Sequence, residues 1–166
     1  ECRLLTSYRS SPEITAMFTS LLEPDEQLRL TSVHRGGVAP VVREFAADDV
    51  DGYVSELRRI AEEARGEEGL TAIVAESDPR CGWLSKQLGD RVEVLGKDSD
   101  LPREGVVLLP LRVAKGLEFD HVVIPDAQAE VYPDTPLARR RMYTAISRAM
   151  HRVTVLSQGA MTSLLA

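Results

Sequence analysis

Apolar positions along the chain follow two rhythms, a helical one and a continuous one of strand length. "VDGYVSELRRIAEEAR" (50–65) places Val50, Tyr53, Val54, Leu57, Ile60 and Ala61 at helical spacing, and Gly66 and Gly69 end it. "PVVREFA" (40–46), "LTAIVAE" (70–76), "VEVL" (92–95), "VVLLPL" (106–111), "HVVIP" (121–125) and "RVTVLS" (152–157) read as strands. Between them Asp78-Pro79 offers a cap and first turn for a helix over "RCGWLSKQL", "GKDSDLPREG" is a polar loop, and a second helix is predicted over "LARRRMYTAISRAM" (137–150). A short helix is expected at the carboxyl end. Near the other end, Ser11 as N-cap, Pro12 and Glu13 start a helix, which puts Tyr8 and Arg9 at a strand-to-helix junction. Strands alternating with helices at this spacing imply an α/β fold with a mainly parallel sheet covered on both faces. Ligands of such sheets are expected beyond the carboxyl ends of the strands.

Length and charge narrow this picture. A chain of 166 residues, 43% hydrophobic and 28% charged, suits one globular domain over 1–166. No apolar run reaches the roughly 20 residues that span a bilayer, and the first residues carry no signal-peptide pattern, so a cytoplasmic location is expected. Cys2 and Cys81 have no paired spacing, and His34, His121 and His151 share no spacing that would gather them on a metal. A net charge of -6 argues against a broad basic face for nucleic acid, leaving room only for a narrow contact or a shared one.

Three segments carry candidate chemistry: "SYRS", "AKGLEFD" and "YTAISRAM". Singly, each has a plain reading. A Tyr-Arg pair at a helix start also serves as cap and surface charge, and Arg148 near a helix C-terminus also answers the macrodipole. Together and in this order they resemble motifs IV, V and VI of the UvrD/Rep-like helicases of superfamily one, whose second RecA-like domain, called 2A, carries them. "LTAIVAESDPRCGWLSKQL" resembles the family's strand and helix between motifs IV and V. Within the family the chain is most similar to the helicase IV or HelD-like group, because Met150 and His151 follow the motif VI arginine and only a short loop stands where relatives carry the 2B insertion.

The resemblance implies a RecA-like, P-loop NTPase-type second motor domain that works on ATP with magnesium. It assigns Tyr8 to the adenine ring, Arg9 and Arg148 to the terminal phosphate as catalytic residues, with Arg148 reaching from a helix as an arginine finger, and Glu118 to the ribose. Gly116 would allow a tight turn against the ligand, with Leu117 and Phe119 as core plugs. Lys115 would order this loop or lie near a nucleic-acid backbone. Where the family has a threonine and a histidine that contact single-stranded DNA, this chain has Pro110 and Arg112. Proline lacks both hydroxyl and N–H, whereas Arg112 keeps a charge for phosphate. No Gly-x-x-x-x-Gly-Lys-Ser/Thr segment occurs, so the phosphate cradle and the magnesium ligands are expected on an N-terminal RecA-like domain of the same chain, and the abrupt start at "ECRLL" fits a piece of a larger protein. The expected function is that of a DNA helicase or translocase. The alternative is a HelD-like module that uses ATP to remodel RNA polymerase without unwinding. Arg139, Arg140 and Arg141 read as a solvated helix face, and Trp83 as core.

Overall fold

A computed structural model describes residues 40–165. Tyr8, Arg9, Cys2, His34 and the helix expected from Ser11 lie outside them. The described residues form one six-stranded sheet: β1 (Val41–Phe45), β2 (Leu70–Ala75), β3 (Glu93–Val94), β4 (Gly105–Pro110), β5 (Phe119–Ile124) and β6 (Ala149–Gln158). Its spatial order is β1-β6-β5-β2-β4-β3, and every pairing is parallel. Such pairing demands crossovers, and the described residues include four α-helices: α1 (Val50–Arg65), α2 (Asp78–Leu88), the single turn α3 (Leu111–Ala114) and α4 (Pro136–Ile146).

Side-chain alternation along each strand splits the core in two. Ile73, Ala75, Val106, Leu108, Val123 and Leu156 pack beneath α1 and α2. Ala72, Val74, Val107, Leu109, Val122, Ile124, Val153 and Val155 face α3 and α4. Both faces of the central strands are therefore dry, which is why these runs read as continuously apolar.

Two element boundaries differ from expectation. Ser77, in extended backbone, caps α2 by accepting the Arg80 N–H at 3.3 Å, so Asp78 is the first helical residue and its carboxylate is not needed for the cap. The helix expected to 150 stops at Ile146, with Ser147 as its C-cap, and Ala149 opens β6 opposite Phe119. Strand pairing overrides helix continuation there, because the Phe119 N–H requires the Arg148 carbonyl, 2.9 Å away. Trp83 is only half-buried: it packs against the margin of the core beneath α1 and α2, and the Arg80 guanidinium lies over its ring at 4.2 Å.

At the carboxyl ends of β2 and β5 the following connections leave to opposite faces, and the crevice between them is filled by an ion pair. Arg80 donates from Nε to both Asp126 oxygens, at 3.1 and 3.0 Å, and from Nη2 to Gln158 Oε1 at 3.1 Å. Tyr53 donates its hydroxyl to the Pro125 carbonyl at 2.6 Å. Asp126 is 1% exposed. Removing one partner of such a pair strands a buried charge, so Asp126→Ala is expected to lower unfolding free energy by about 3 to 5 kcal/mol in urea titration. Tyr53→Phe, which removes a hydroxyl in contact with the Pro125 carbonyl, Asp126 and Arg80, should lower it by about 1 to 3 kcal/mol.

His121 is buried on the α1 face, its Nε2 2.8 Å from the Thr154 hydroxyl. Burial, with Arg152 nearby, pulls its pKa down to about 4, against a smaller opposing pull from Glu67. The unfolded chain binds this proton more readily than the folded one. Its contribution is complete above about pH 6.5 and is lost as pH falls toward 4, on the order of 3 kcal/mol. His121→Gln is expected to flatten the urea-midpoint profile between those pH values.

Candidate functional site

The loop joining α3 to β5 is built around one backbone conformation. Gly116 has φ of +82°, a region L side chains avoid, and an added Cβ there would meet nothing within 4 Å among the described residues. The turn is closed by the Leu117 N–H donating to the Ala114 carbonyl at 3.1 Å. Phe119 anchors the loop in the core at 1% exposure, and Leu117 packs partly against the same cluster. Lys115, Gly116 and Glu118 are exposed.

Arg148 reaches this loop from the turn between α4 and β6, not from the helix itself. Its Nη1 donates to the Leu117 carbonyl at 3.4 Å and its Nη2 to the Ser147 hydroxyl at 3.2 Å. Its Nε is buried and, among the described residues, has no hydrogen-bond partner. Both of those bonds are long for a guanidinium, and an orphaned buried N–H calls for an anion or an acceptor to complete it. Glu118 immediately precedes β5 and Arg148 immediately precedes β6, so the two share the amino-terminal edge of the sheet. The carboxyl ends, where ligands of such sheets are expected, form the other edge. The carboxyl-end crevice is occupied instead by Arg80 and Asp126, a network with no short-range sequence signal because its members come from α1, α2, β6 and the segment after β5.

Arg112 belongs to the opposite edge, just after β4 ends, and Lys115 and Gly116 lie in the crossover between the two edges. Arg112 is engaged by Asp78: Nε donates to Oδ1 at 2.9 Å and to Oδ2 at 3.2 Å, and Nη2 to Oδ2 at 2.9 Å. These hydrogen bonds hold the Asp78 carboxyl below its ordinary range. The pair flanks a cavity of about 410 Å³ whose lining includes Cys81, Gly82, Lys86, Leu95 and Pro110. The Cys81 thiol is pushed up by burial and is not a poised nucleophile.

The expected basic face on α4 is dispersed into separate contacts. Arg139 lies 3.4 Å from Asp134, and Arg141 donates to the Glu76 carbonyl at 2.7 Å while lying over the Tyr132 ring. Among the described residues, no group of three His, Cys, Asp or Glu side chains is placed to hold a metal ion, and no helix is long and apolar enough to cross a membrane.

The segment that supplies Arg112, Lys115, Gly116, Glu118 and Arg148 is also the one that comparison identifies. Residues 105–156 match the UvrD-like helicase C-terminal domain. In its fold the chain is similar to the crystal structure of the C-terminal domain of a possible DNA helicase from Lactobacillus plantarum WCFS1, at 29% identity and a TM-score of 0.75, over 95% of this chain and 91% of that one. The six-stranded parallel sheet is thus that of a helicase C-terminal, RecA-like domain. Weaker likenesses extend to a CRISPR-associated protein (15% identity, TM-score 0.47, 74% of this chain and 17% of that one) and to the C-terminal domain of the DEAD-box protein Dbp5 (13%, 0.45, 70% and 75%). Those two do not bear on its chemistry. No curated protein matches the sequence.

The Gly116 turn gives a direct check on the loop. With open space around a new Cβ, Gly116→Ala should cost only the left-handed backbone term, about 1 to 2 kcal/mol by urea unfolding.

Proposed function

We propose that this chain is the second motor domain of an ATP-dependent DNA helicase or translocase, contributing one wall of an ATP site. The observation that carries the reading is the state of Arg148. Its guanidinium lies against the Gly116 loop at the Leu117 carbonyl, with one buried N–H that has no acceptor among the described residues and its other two bonds at 3.2 and 3.4 Å. A phosphate oxygen suits such a group, since a charge-assisted bond to phosphate is shorter and about twice as strong as a neutral one. UvrD-like similarity over 105–156 supports the same assignment.

In this reading Arg148 and Arg9 place positive charge on the terminal phosphate, Tyr8 stacks on adenine, and Glu118 accepts from the ribose. Gly116 keeps the loop low enough for the nucleotide to approach. ATP with magnesium supplies the phosphoryl group. The cradle for its phosphates belongs to an N-terminal RecA-like domain, because these 166 residues contain no P-loop. Closure of the two domains would bring Arg148 to the phosphate and exclude water, and opening would release product, which couples turnover to movement along DNA. Arg112, at the other edge, would face the nucleic acid. Neither the family match nor the helicase likeness favours the narrower HelD-like grouping or an RNA polymerase partner.

Arg148→Ala in the intact protein is expected to reduce ATP turnover by about a thousandfold or more while leaving the melting temperature near that of the wild type. Arg148→Lys, which keeps the charge but not the fork, should recover only part of it. Turnover in Arg148→Ala equal to wild type would remove the assignment.

A further inference from the structure

The Arg112 contact raises a separate question, because the guanidinium that would meet nucleic acid already has a carboxylate in its fork. Two of its nitrogens bond Asp78, and both side chains remain open to solvent, 60% exposed for Arg112 and 58% for Asp78. A phosphate approaching this edge therefore meets a pair of zero net charge. The arrangement follows from local structure. Ser77 takes the capping of α2, which releases the Asp78 side chain, and the positive end of the helix stabilises Asp78 as an anion. Pro110 places the first turn of α3 directly after β4, and this brings Arg112 within reach across the cavity mouth.

We propose that Asp78 is an affinity-setting residue that holds Arg112 in reserve, occupying its phosphate-facing fork and keeping the resting affinity of this edge for single-stranded nucleic acid low. The inference rests on the reading of the domain as a nucleic-acid motor and adds a residue that reading does not use. An exposed ion pair is weak, so a phosphodiester can displace the carboxylate. Engagement then exchanges one ion pair for another, and the contact contributes little net affinity. A motor gains from this, because a contact that is remade at each step must not be tight.

The experiment is oligothymidylate binding to the intact protein, followed by fluorescence anisotropy through a salt titration, for wild type, Asp78→Asn, Arg112→Ala and the double variant. Asp78→Asn is expected to tighten binding about fivefold, the equivalent of one exposed ion pair. It should also steepen the dependence of log K on log salt by about 0.7, one more phosphate contact on a single strand. Arg112→Ala should weaken wild-type binding less than it weakens Asp78→Asn, and should cancel the gain in the double variant. Asp78→Ser, which also keeps the Ser77 cap, should behave like Asp78→Asn. If wild type binds the oligonucleotide and Asp78→Asn has the same affinity and salt slope, the proposal is overturned while the motor reading stands. It is likewise overturned if Arg112→Ala weakens wild type as much as it weakens Asp78→Asn. If neither wild type nor Asp78→Asn binds the oligonucleotide, the nucleic-acid reading fails and this proposal with it.

Discussion

Parallel pairing of β5 with β6 places the loop before one strand beside the turn before the other. A hydrogen bond from the Phe119 N–H to the Arg148 carbonyl starts that ladder, and the side chains on either side of it, Glu118 and Arg148, are brought to one edge as a result. Neither the Gly116 turn nor the end of α4 would create a site alone. The strands hold them in register because each is dry on both faces, so a slip would move apolar side chains such as Val122 and Val153 out of one layer and into the other.

The sheet also keeps two chemistries apart. Its amino edge carries an under-bonded arginine near an open loop. The carboxyl edge is locked where β2 meets β5, by Arg80, Asp126, Tyr53 and Gln158, and is open where Arg112 and Asp78 flank a cavity. A buried, satisfied network rigidifies its surroundings, whereas an exposed pair exchanges partners easily. Rigid and exchangeable charge thus occur on the same edge within the length of α2.

Much of this was legible in the sequence. Continuous apolar runs marked the buried strands, and the spacing of Tyr53, Leu57 and Ile60 marked α1 to the residue. The glycine before "LEF" pointed to a turn, which the positive φ of Gly116 confirms. What escaped sequence reading was set by partners far along the chain. The end of α4 depends on β5, since "SRAM" continues helical spacing and only the Phe119 N–H makes an extended Ala149 preferable. Ser77 and Asp78 are both good caps, and Arg112, 34 residues on, accounts for what Asp78 does instead. Asp126 follows Pro125 with no neighbour in sequence that marks it as buried, and its partners Arg80 and Tyr53 lie 46 and 73 residues away.

The position of β6 bears on how the domain is made. It is the last strand of the sheet along the chain, yet it is second in space, and among the described residues it is the sole partner of β1, with Val41 opposite Thr154. At a ribosomal rate of roughly 5 to 20 residues per second, β1 emerges on the order of ten seconds before the segment that will cover it. Until then the β1 backbone lacks the β6 ladder that pairs it in the finished sheet, and because Val41 and Val42 stay 41% and 50% exposed even there, the wait is for backbone partners more than for apolar cover.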